Sequence, residues 1–287
     1  MDERAALSVL AEVLGPAGDD AAVVDGQVLT TDMLHERTDF PEGTDRYTAG
    51  WRAVGASLSD VAAMGASATA AVAVYAAPSF DRDELLAFVE GASEVCTLVG
   101  AEYVGGDLDD HAEFTAVTTA LGRTDDPVLR SGASPGDRVC VTGALGRSAA
   151  ALERFDRGDH RRGNELFRFP PRVDAGVALA SHATAMMDSS DGLARSLHQL
   201  AEASDCGFAV EADRIPIHDE LRALLEEPLE PATTFGEDFE LVVTLPAEAV
   251  DVAREATDVP LTVVGTVTEA GVTLDDEPLA DRGYTHG

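Results

Sequence analysis

The sequence predicts a two-domain protein of α/β structure, of the α+β type, in which mixed sheets are flanked by helices. With 287 residues, of which 45% are hydrophobic, the chain is long enough to bury two cores of ordinary size. Short strand-like apolar runs alternate with stretches whose apolar residues recur every three or four positions, as in amphipathic helices. A segment rich in Pro, Gly, Ser and Asp, residues 124–137, divides the chain, so we expect domains at 1–126 and 127–287.

The first predicted unit is a β-hairpin that ends in acidic residues. Two strand-like runs flank an Asp-Gly pair at 25–26, which favours a type I′ turn because both turn residues need a positive φ. A two-residue loop places Asp20 opposite Thr31 and Asp19 opposite Asp32. Like charges opposed across two strands are destabilising, so either solvent screens them, the register differs, or a cation lies between them. We adopt the cation as the working hypothesis.

A long helix follows the hairpin. Over 48–66, the apolar side chains of Trp51, Val54, Leu58 and Val61 are spaced three or four residues apart and form one stripe. The remaining elements predicted in the first domain are strands at 21–24, 27–31, 68–77, 101–107 and 113–124, and a helix at 80–100.

The second domain is predicted to be rich in strands. Leu193, Leu197 and Leu200 share one face of a helix that follows a short apolar strand. The other predicted elements are strands at 138–143, 184–188, 207–217, 240–246 and 260–274, a helix at 148–158, and a proline-initiated helix within 167–183.

The composition excludes several classes of function. The net charge is −33 and all twenty basic residues are arginines, so the surface repels nucleic acid and anionic membranes. Without lysine, the glycine turn at 143–150 is not a Walker A loop, and Schiff-base chemistry is ruled out. Acids spread along the whole chain favour adaptation to concentrated salt, a halophilic setting in which their mutual repulsion is screened.

The cysteines and the apolar runs predict a soluble cytoplasmic protein. Cys96, Cys140 and Cys206 are far apart, have apolar neighbours and form no CxxC pair, so we expect buried, reduced thiols. The first residues lack the apolar core of a signal peptide, and the longest apolar run, 66–77, is too short to span a bilayer.

Asp60 is the most informative acid of the predicted 48–66 helix. No arginine lies three or four positions away, so this carboxylate has no local charge partner. On a helical wheel it lies opposite Trp51 and Leu58, which predicts an exposed face if the helix stands alone. The small residues around it instead allow close packing, and a buried, unpaired carboxylate requires a metal ion or a distant arginine.

Three further acidic clusters lie at the ends of predicted elements. GGD at 105–107 ends a strand, DSSDG at 188–192 separates a strand from a helix, and FGEDFEL at 235–241 precedes a strand. Each alone is typical of a turn or a helix cap. Together with the hairpin acids, they offer the hard oxygen ligands that Mg²⁺ prefers. The set predicts phosphoryl transfer from a nucleotide, assisted by Mg²⁺ and without a P-loop.

The chain contains, in order, the motifs GDDAAV, TTDML, WRAVGASLSDVAAMGA, GGD, LRSGASPGD, VTGALGRSAAAL, PPRV, MMDSSDGL, GEDFEL and the terminal GY-x-H. Their order and spacing resemble those of the thiamine-monophosphate kinases, a family within the ATP-binding superfamily of aminoimidazole ribonucleotide synthetase. The resemblance implies the two-domain fold of that synthetase, a homodimer built through the N-terminal strands, and ATP in the cleft between the domains. The implied activity is the ATP-dependent phosphorylation of thiamine monophosphate to thiamine diphosphate. The resemblance to this family runs essentially end to end through these motifs.

The resemblance also implies roles for individual residues. No side chain is required as nucleophile or strong base, because the phosphate oxygen of the acceptor is already ionised. Several Mg²⁺ ions would be held by Asp20, Thr30, Thr31, Asp32, Asp60, Asp107, Asp188 and Asp191. ATP would contact Gly105, Gly106, Arg130 and Ser190, while Glu237 and Tyr284 would face the thiamine end of the acceptor.

One position departs from the family pattern. Asp39 stands where these kinases usually carry a histidine that contacts the substrate. An aspartate repels a phosphate, so three interpretations stay open. Either His35 or Arg37 takes over the contact, a metal ion bridges Asp39 to the acceptor, or Asp39 only reflects the general excess of acids.

Two other functions stay open from the residues. Selenophosphate synthetase and the hydrogenase maturation protein are disfavoured, because the first would need an N-terminal cysteine and the second a C-terminal one, whereas the first cysteine is Cys96 and the chain ends YTHG. The alternatives are a ligase like aminoimidazole ribonucleotide synthetase, or a non-catalytic protein that binds nucleotides or cations.

Overall fold

Two mixed sheets organise the part of the chain that the computed structural model describes, residues 9–10, 13–14 and 18–283. In the first sheet only one neighbouring pair, the third and fourth strands of the chain, runs parallel. The strands are β1 (Ala22–Val24), β2 (Gln27–His35), β3 (Ser67–Ala77), β4 (Glu102–Asp110) and β5 (Thr115–Arg123), in the order β1-β2-β5-β3-β4.

The second sheet has seven strands and is also mixed, with one parallel pair. Its strands are β6 (Arg138–Thr142), β7 (Ala185–Asp188), β8 (Gly207–Val210), β9 (Leu241–Leu245), β10 (Leu261–Thr268), β11 (Val272–Leu274) and β12 (Glu277–Pro278), in the order β12-β11-β8-β10-β6-β9-β7.

Ten α-helices accompany the sheets in the described part of the chain, and none of them combines the length and apolar character needed to cross a membrane. They are α1 (Glu36–Asp39), α2 (Arg46–Ala63), α3 (Arg82–Leu98), α4 (Arg147–Asp156), α5 (His160–Phe167), α6 (Val173–Ala180), α7 (Leu193–Ser204), α8 (Asp219–Leu224), α9 (Leu229–Thr234) and α10 (Val250–Ala256).

The arrangement of mixed sheets and flanking helices confirms the predicted fold class. The two sheets share no strand: β5 ends at Arg123 and β6 begins at Arg138, on either side of the segment rich in turn-forming residues. The limits 1–126 and 127–287 stay a prediction.

The N-terminal hairpin has the predicted turn. Val24 pairs with Gln27, and Asp25 and Gly26 have φ angles of 51° and 74°, as a type I′ turn requires. The β1–β2 ladder, however, ends at Ala22, so Asp19 and Asp20 lie outside it. The carboxylates are therefore free to leave the plane of the sheet.

Helix α2 packs against both domains and is buried on most of its surface. It contacts β2, β3 and β5 of the first sheet, and β7, α5 and α6 from the second half of the chain. It crosses α3 closely, because a Cβ added to Gly50 would lie 2.1 Å from the backbone oxygen of Phe88. The helix thus has no face that is wholly turned to solvent.

Several predicted boundaries differ from the observed ones. The run 207–217 ends as a strand at Val210, since a short 3-10 turn follows it. The run 260–274 forms two strands, separated by a turn in which Gly271 has a φ of 79°. Five short helices were not predicted from the sequence, because their four to eight residues are too few for a clear helical period; they are α1, α5, α8, α9 and α10.

The three cysteines are free thiols, as predicted. Cys96 and Cys140 are buried, and burial raises the pKa of each thiol to about 12. Cys206 is only partly buried, which differs from the expectation. The two buried thiols are therefore inert at neutral pH.

Candidate active site

Three aspartates from both domains converge on one point. Asp20 lies two residues before the start of β1, Asp60 lies in the last turn of α2, and Asp188 ends β7. Each offers a carboxylate oxygen that lies within 4.8 Å of those of the other two. The structure thus brings together three of the eight residues predicted to hold Mg²⁺, and we call them the aspartate cluster.

Asp60 faces this cluster and is only partly exposed to solvent. The Thr30 hydroxyl donates a hydrogen bond of 2.5 Å to its carboxylate. Burial, with smaller contributions from the charges of Asp32, Asp188 and Asp20, raises the pKa of Asp60 well above its usual value. The exposed face suggested by the helical wheel is therefore wrong, because other elements cover α2 on that side as well.

Asp188 is the most deeply buried member of the aspartate cluster. Its side chain is 1% exposed, and neither carboxylate oxygen accepts a hydrogen bond of normal geometry from the described residues, although the Ser59 hydroxyl lies nearby. Burial, followed by the charge of Asp20, raises the pKa of Asp188 to about 8, against the opposing effects of Ser59 and Arg130. A buried carboxylate without partners costs much free energy unless a cation neutralises it.

Arg130 neutralises one member of the cluster. Its guanidinium donates two hydrogen bonds to the Asp20 carboxylate, of 2.8 and 3.2 Å, and its backbone N–H donates to Asp19. Burial alone would lower the pKa of Arg130, but the neighbouring carboxylates, Asp20 first, raise it. One arginine therefore faces three acids, and net negative charge remains.

The residues of β2 alternate between two environments. Thr30 and Asp32 face α2, where Asp32 accepts a hydrogen bond of 2.7 Å from the Ser57 hydroxyl. Thr31 points to the opposite face of the sheet, and its hydroxyl donates to the backbone oxygen of Thr118. Thr30 and Asp32 are thus placed beside the aspartate cluster, while the Thr31 side chain is not.

The GGD motif lies at the other edge of the first sheet. β4 is three strands away from β2, which is about 14 Å at the usual strand spacing. Asp107 pairs with Val74 on the sheet face opposite to α2, and it is exposed. Within one chain, Gly105, Gly106 and Asp107 are therefore not brought to the aspartate cluster.

A cavity of about 450 Å³ borders the GGD motif, between β4 and α3. Aromatic rings of Tyr75, Phe88 and Tyr103 form part of its wall. A Cβ on Gly106 would lie 1.6 Å from the backbone oxygen of Ala73, so only glycine allows this close pairing of β3 and β4.

The loop 188–192 is held by the segment 236–240. The backbone N–H groups of Glu237 and Phe239 donate to the oxygens of Ser190 and Ser189, at 2.6 and 3.3 Å. Gly192 occupies the N-cap position of helix α7 and gives no side-chain hydrogen bond there. Ser190 and Asp191 therefore lie on a braced loop that begins at Asp188.

The acids of the GEDFEL motif have internal partners. Glu237 forms an ion pair with Arg52, a residue of α2 that is fully buried. The Asp238 carboxylate accepts hydrogen bonds from the N–H groups of Gly146 and Ser148, and its burial raises its pKa to about 7. This contradicts the interpretation of the motif as an ordinary acidic turn.

The surroundings of Asp39 bear on the three interpretations of this residue. Asp39 is buried, and it accepts hydrogen bonds from the His35 N–H and the Thr38 hydroxyl, which stabilise the short helix α1. His35 contacts Thr115 through Nδ1 at 3.2 Å, and Arg37 lies 3.6 Å from the carboxylate of Glu113. The geometry favours a structural role for Asp39.

Three residues near the site were not predicted from the sequence. Arg52, Ser57 and Ser59 all lie on α2 and were not predicted as site residues. An arginine in an otherwise apolar helix stretch was the available signal for Arg52. Tyr284 lies outside the described residues.

The aspartate cluster suits a hard divalent cation. Its donors are carboxylate oxygens, with hydroxyls of Thr30 and Ser59 close by, and no thiol or imidazole belongs to the cluster as the described residues define it. A bound cation would neutralise the Asp188 carboxylate, whose oxygens accept no hydrogen bond of normal geometry from the described residues.

Comparisons with known proteins agree with this architecture. A family model described as AIR synthase related protein, N-terminal domain, matches residues 18–124, and that of the C-terminal domain matches residues 134–276. A thiamine-monophosphate kinase of Halobacterium salinarum is 64% identical over 288 residues, covering 100% of both chains. The thiamine-monophosphate kinase of Methanospirillum hungatei is 41% identical over 297 residues, covering 100% of this chain and 99% of the relative.

A solved structure has the same fold as this chain. The structure described as AaThiL complexed with AMPPCP and TMP has a TM-score of 0.91 and 28% sequence identity, covering 100% of this chain and 97% of that one. The chain therefore belongs to the AIR synthase related protein family and, within it, to the thiamine-monophosphate kinases.

Proposed function

We propose that this chain transfers the γ-phosphoryl group of ATP to thiamine monophosphate, giving thiamine diphosphate and ADP. The observation that carries the proposal is the aspartate cluster, built from both domains of a chain that is 64% identical to a thiamine-monophosphate kinase. The AaThiL structure, described as complexed with AMPPCP and TMP, supports this pair of substrates.

Magnesium is the cation that we propose for the aspartate cluster. Asp20, Asp60 and Asp188 would hold it, with Thr30 and Asp32 alongside and Asp191 on the adjoining loop. When bound, Mg²⁺ neutralises phosphate charge during phosphoryl transfer. Such neutralisation matters especially in a chain whose net charge is −33.

The side chains orient two anions and need not remove a proton. An ionised phosphate oxygen of the acceptor attacks the γ-phosphorus, the bond from phosphorus to the bridging oxygen breaks, and ADP leaves with the electron pair. In-line placement of the two substrates is thus the main task of the protein. The braced loop 188–192, with Ser190, lies beside the cluster and supports the positioning of the nucleotide phosphates there.

We assign the adenine base to the cavity beside the GGD motif. Its volume of about 450 Å³ and its aromatic side chains suit a flat, partly apolar ring, and Gly105 and Gly106 allow the backbone to approach it. Because the aspartate cluster lies three strands away, one chain does not offer both parts of a nucleotide site in one place.

A homodimer would resolve this separation. The sheet face opposite to α2 exposes the apolar side chains of Leu29, Met33 and Val72, which are 47%, 52% and 37% exposed. Exposed apolar patches commonly mark protein interfaces. We propose that two copies pack through this face, so that Asp107 of the partner subunit completes the metal site.

The free thiols support a cell compartment for this chain, and the acidic surface supports a salt condition. Free cysteines are typical of a reducing compartment, which supports a cytoplasmic location. The excess of 53 acids over 20 arginines supports work at high salt, where self-repulsion is screened.

The test is an acceptor panel in concentrated KCl. Purified protein is incubated with ATP, Mg²⁺ and either thiamine monophosphate or formylglycinamidine ribonucleotide, the acceptor class of the ligase alternative. We expect thiamine diphosphate and one ADP for each acceptor consumed. ATP binding without ADP release in the presence of any acceptor would instead favour the non-catalytic alternative.

A further inference from the structure

Arg52 is a buried cation that joins the two domains. It lies on α2, its side chain is 0% exposed, and its guanidinium crosses to residues of the second half of the chain. One terminal nitrogen donates to the backbone oxygen of Phe167 at 2.8 Å, and the guanidinium carbon lies 3.6 Å from the centre of the Phe167 ring. The planar group is thus fixed in orientation by a ring on one side and a carbonyl at its edge.

The other terminal nitrogen of Arg52 holds Glu237 at two points. It donates to the backbone oxygen of Glu237 at 3.1 Å and to one oxygen, Oε2, of the Glu237 carboxylate. The second carboxylate oxygen, Oε1, has no hydrogen-bond partner among the described residues, and the side chain is 12% exposed. Arg52 thereby leaves one oxygen of Glu237 available to a ligand.

The segment that Arg52 holds has an unfavourable backbone. Glu237 and Phe239 have φ angles of 62° and 54°, in a region that is unfavourable for a residue with a side chain. Such a conformation persists only when neighbouring contacts impose it. Arg52 contributes such a contact from the first domain, and the Ser148 hydroxyl, which donates to the Glu237 oxygen at 2.6 Å, contributes one from the second.

We propose that Arg52 is a positioning residue for the acceptor, because it sets the position of the Glu237 carboxylate. This inference rests on the proposed function and on the role that the family resemblance implies for Glu237, at the cationic thiamine end of the acceptor. Asp60 follows Arg52 by eight residues on the same helix, about 12 Å along its axis. One rigid element therefore places a cluster carboxylate and the residue that orients the acceptor.

The test compares kinetic constants of variants at high KCl. Arg52→Met removes the charge and both contacts with Glu237 but keeps the length of the side chain. We expect its KM for thiamine monophosphate to rise about tenfold or more, while its KM for ATP changes less than about twofold. Glu237→Gln should raise the same KM, and the double variant should be no worse than the worse single variant, because the two residues act as one unit.

Arg168→Met is the matched control. Arg168 also joins the domains, through a hydrogen bond of 3.1 Å to the Thr48 hydroxyl, but it does not touch Glu237. We expect its KM for thiamine monophosphate to stay within about twofold of the wild-type value. An equal rise in Arg168→Met and Arg52→Met would assign both effects to loosened domains and would overturn the inference, as would an unchanged KM in Arg52→Met.

A second variant of Arg52 and a binding measurement cover two other outcomes. If Arg52→Met does not fold, Arg52→Lys retains the charge but cannot reach Phe167 and Glu237 together, so a wild-type KM in Arg52→Lys overturns the inference. Wild-type protein that makes no thiamine diphosphate contradicts the proposed function itself. In that case, binding of thiamine monophosphate measured by calorimetry still tests Arg52: equal affinity in wild type and Arg52→Met counts against it.

Discussion

When Asp188 is ionised, its own surroundings do not stabilise the charge. Both of its oxygens lack a hydrogen bond of normal geometry from the described residues, and two other aspartates lie within 4.8 Å. Folding thus forces together groups that repel one another, and a cation is needed to offset the cost. The charge of Asp188 should therefore serve function at the expense of the stability of the metal-free protein.

Asp188→Asn should separate these two effects. We expect turnover to fall at least about 100-fold because a metal ligand is lost, while the melting temperature in EDTA above pH 8, where Asp188 is ionised, rises because repulsion is relieved. Calorimetric melting with and without Mg²⁺, next to an ADP-release assay, measures both. Asp258→Asn, at an exposed acid far along the second domain, is the control and should change neither. Normal turnover in Asp188→Asn would refute the assignment of the cluster.

The raised pKa of Asp188 also predicts a pH dependence of stability. In the folded chain this carboxyl has a pKa of about 8, against 3.8 for an unperturbed aspartate, so between these values the folded state binds more protons than the unfolded state. The free energy of unfolding of the metal-free protein should therefore fall as pH rises from about 4 to 8. Denaturant titrations in EDTA measure the slope, which should be smaller in Asp188→Asn. Equal slopes in the two proteins would contradict the prediction.

At this scale, the sequence indicated candidate acids for the site but not which way their side chains point. The helical wheel assigned Asp60 to an exposed face, because a wheel shows the angular positions of side chains on one helix but not the other elements that pack around that helix. Likewise, the alternation along β2 separates Thr31 from Thr30 and Asp32, although the three are consecutive.

At the scale of elements, α2 is the part on which the site depends most. It supplies Asp60, the Ser57 hydroxyl that binds Asp32, and Arg52. Its position is fixed by its close crossing with α3, where Gly50 meets the backbone of Phe88. Any substitution that separates these two helices should disturb the fold first and the site through it.

Gly50→Ala tests the crossing of α2 and α3. The new Cβ would lie 2.1 Å from the Phe88 oxygen, so the helices must separate, and we expect a loss of about 1–3 kcal/mol in the free energy of unfolding. Urea titration at constant KCl measures this loss. Leu86→Ala, at a half-exposed position of α3, is the control and should cost less than about 1 kcal/mol. Stability equal to the wild type in Gly50→Ala would show that the crossing tolerates a wider spacing.

The elements differ in how far local sequence predicts them. The Asp25-Gly26 turn was predictable because its residues dictate their own φ angles, and the long helix α2 because it repeats one apolar stripe. The short helices α8 and α9 were not, because six residues cannot display a period and tertiary packing decides their conformation.

At the scale of the whole molecule, the parts of the proposed nucleotide site lie at opposite edges of the first sheet. The aspartate cluster adjoins β2, whereas Asp107 and the aromatic cavity belong to β4, about 14 Å away and, for Asp107, on the other sheet face. Motif order in the sequence could not predict this separation, because sheet order depends on long-range pairing. A symmetric dimer would bring the two edges of different copies together.

Complementation between two inactive variants tests this shared site. Asp60→Ala and Asp107→Ala should each abolish turnover as separate homodimers. If each site takes Asp107 from the partner subunit, a mixed dimer contains one site with both defects and one intact site. Random exchange of equal amounts then restores about one quarter of wild-type activity, since half of the dimers are mixed and each has one of two sites intact.

The variants are mixed after reversible dissociation, and ADP release is measured together with the mass by light scattering. Each variant remixed with itself is the control and should stay inactive. If the site lies within one chain, every site in the mixture carries one defect, so a dimeric but inactive mixture would rule out sharing. A monomeric wild type would equally contradict the proposal, because the sheet face with Met33 would then have no partner.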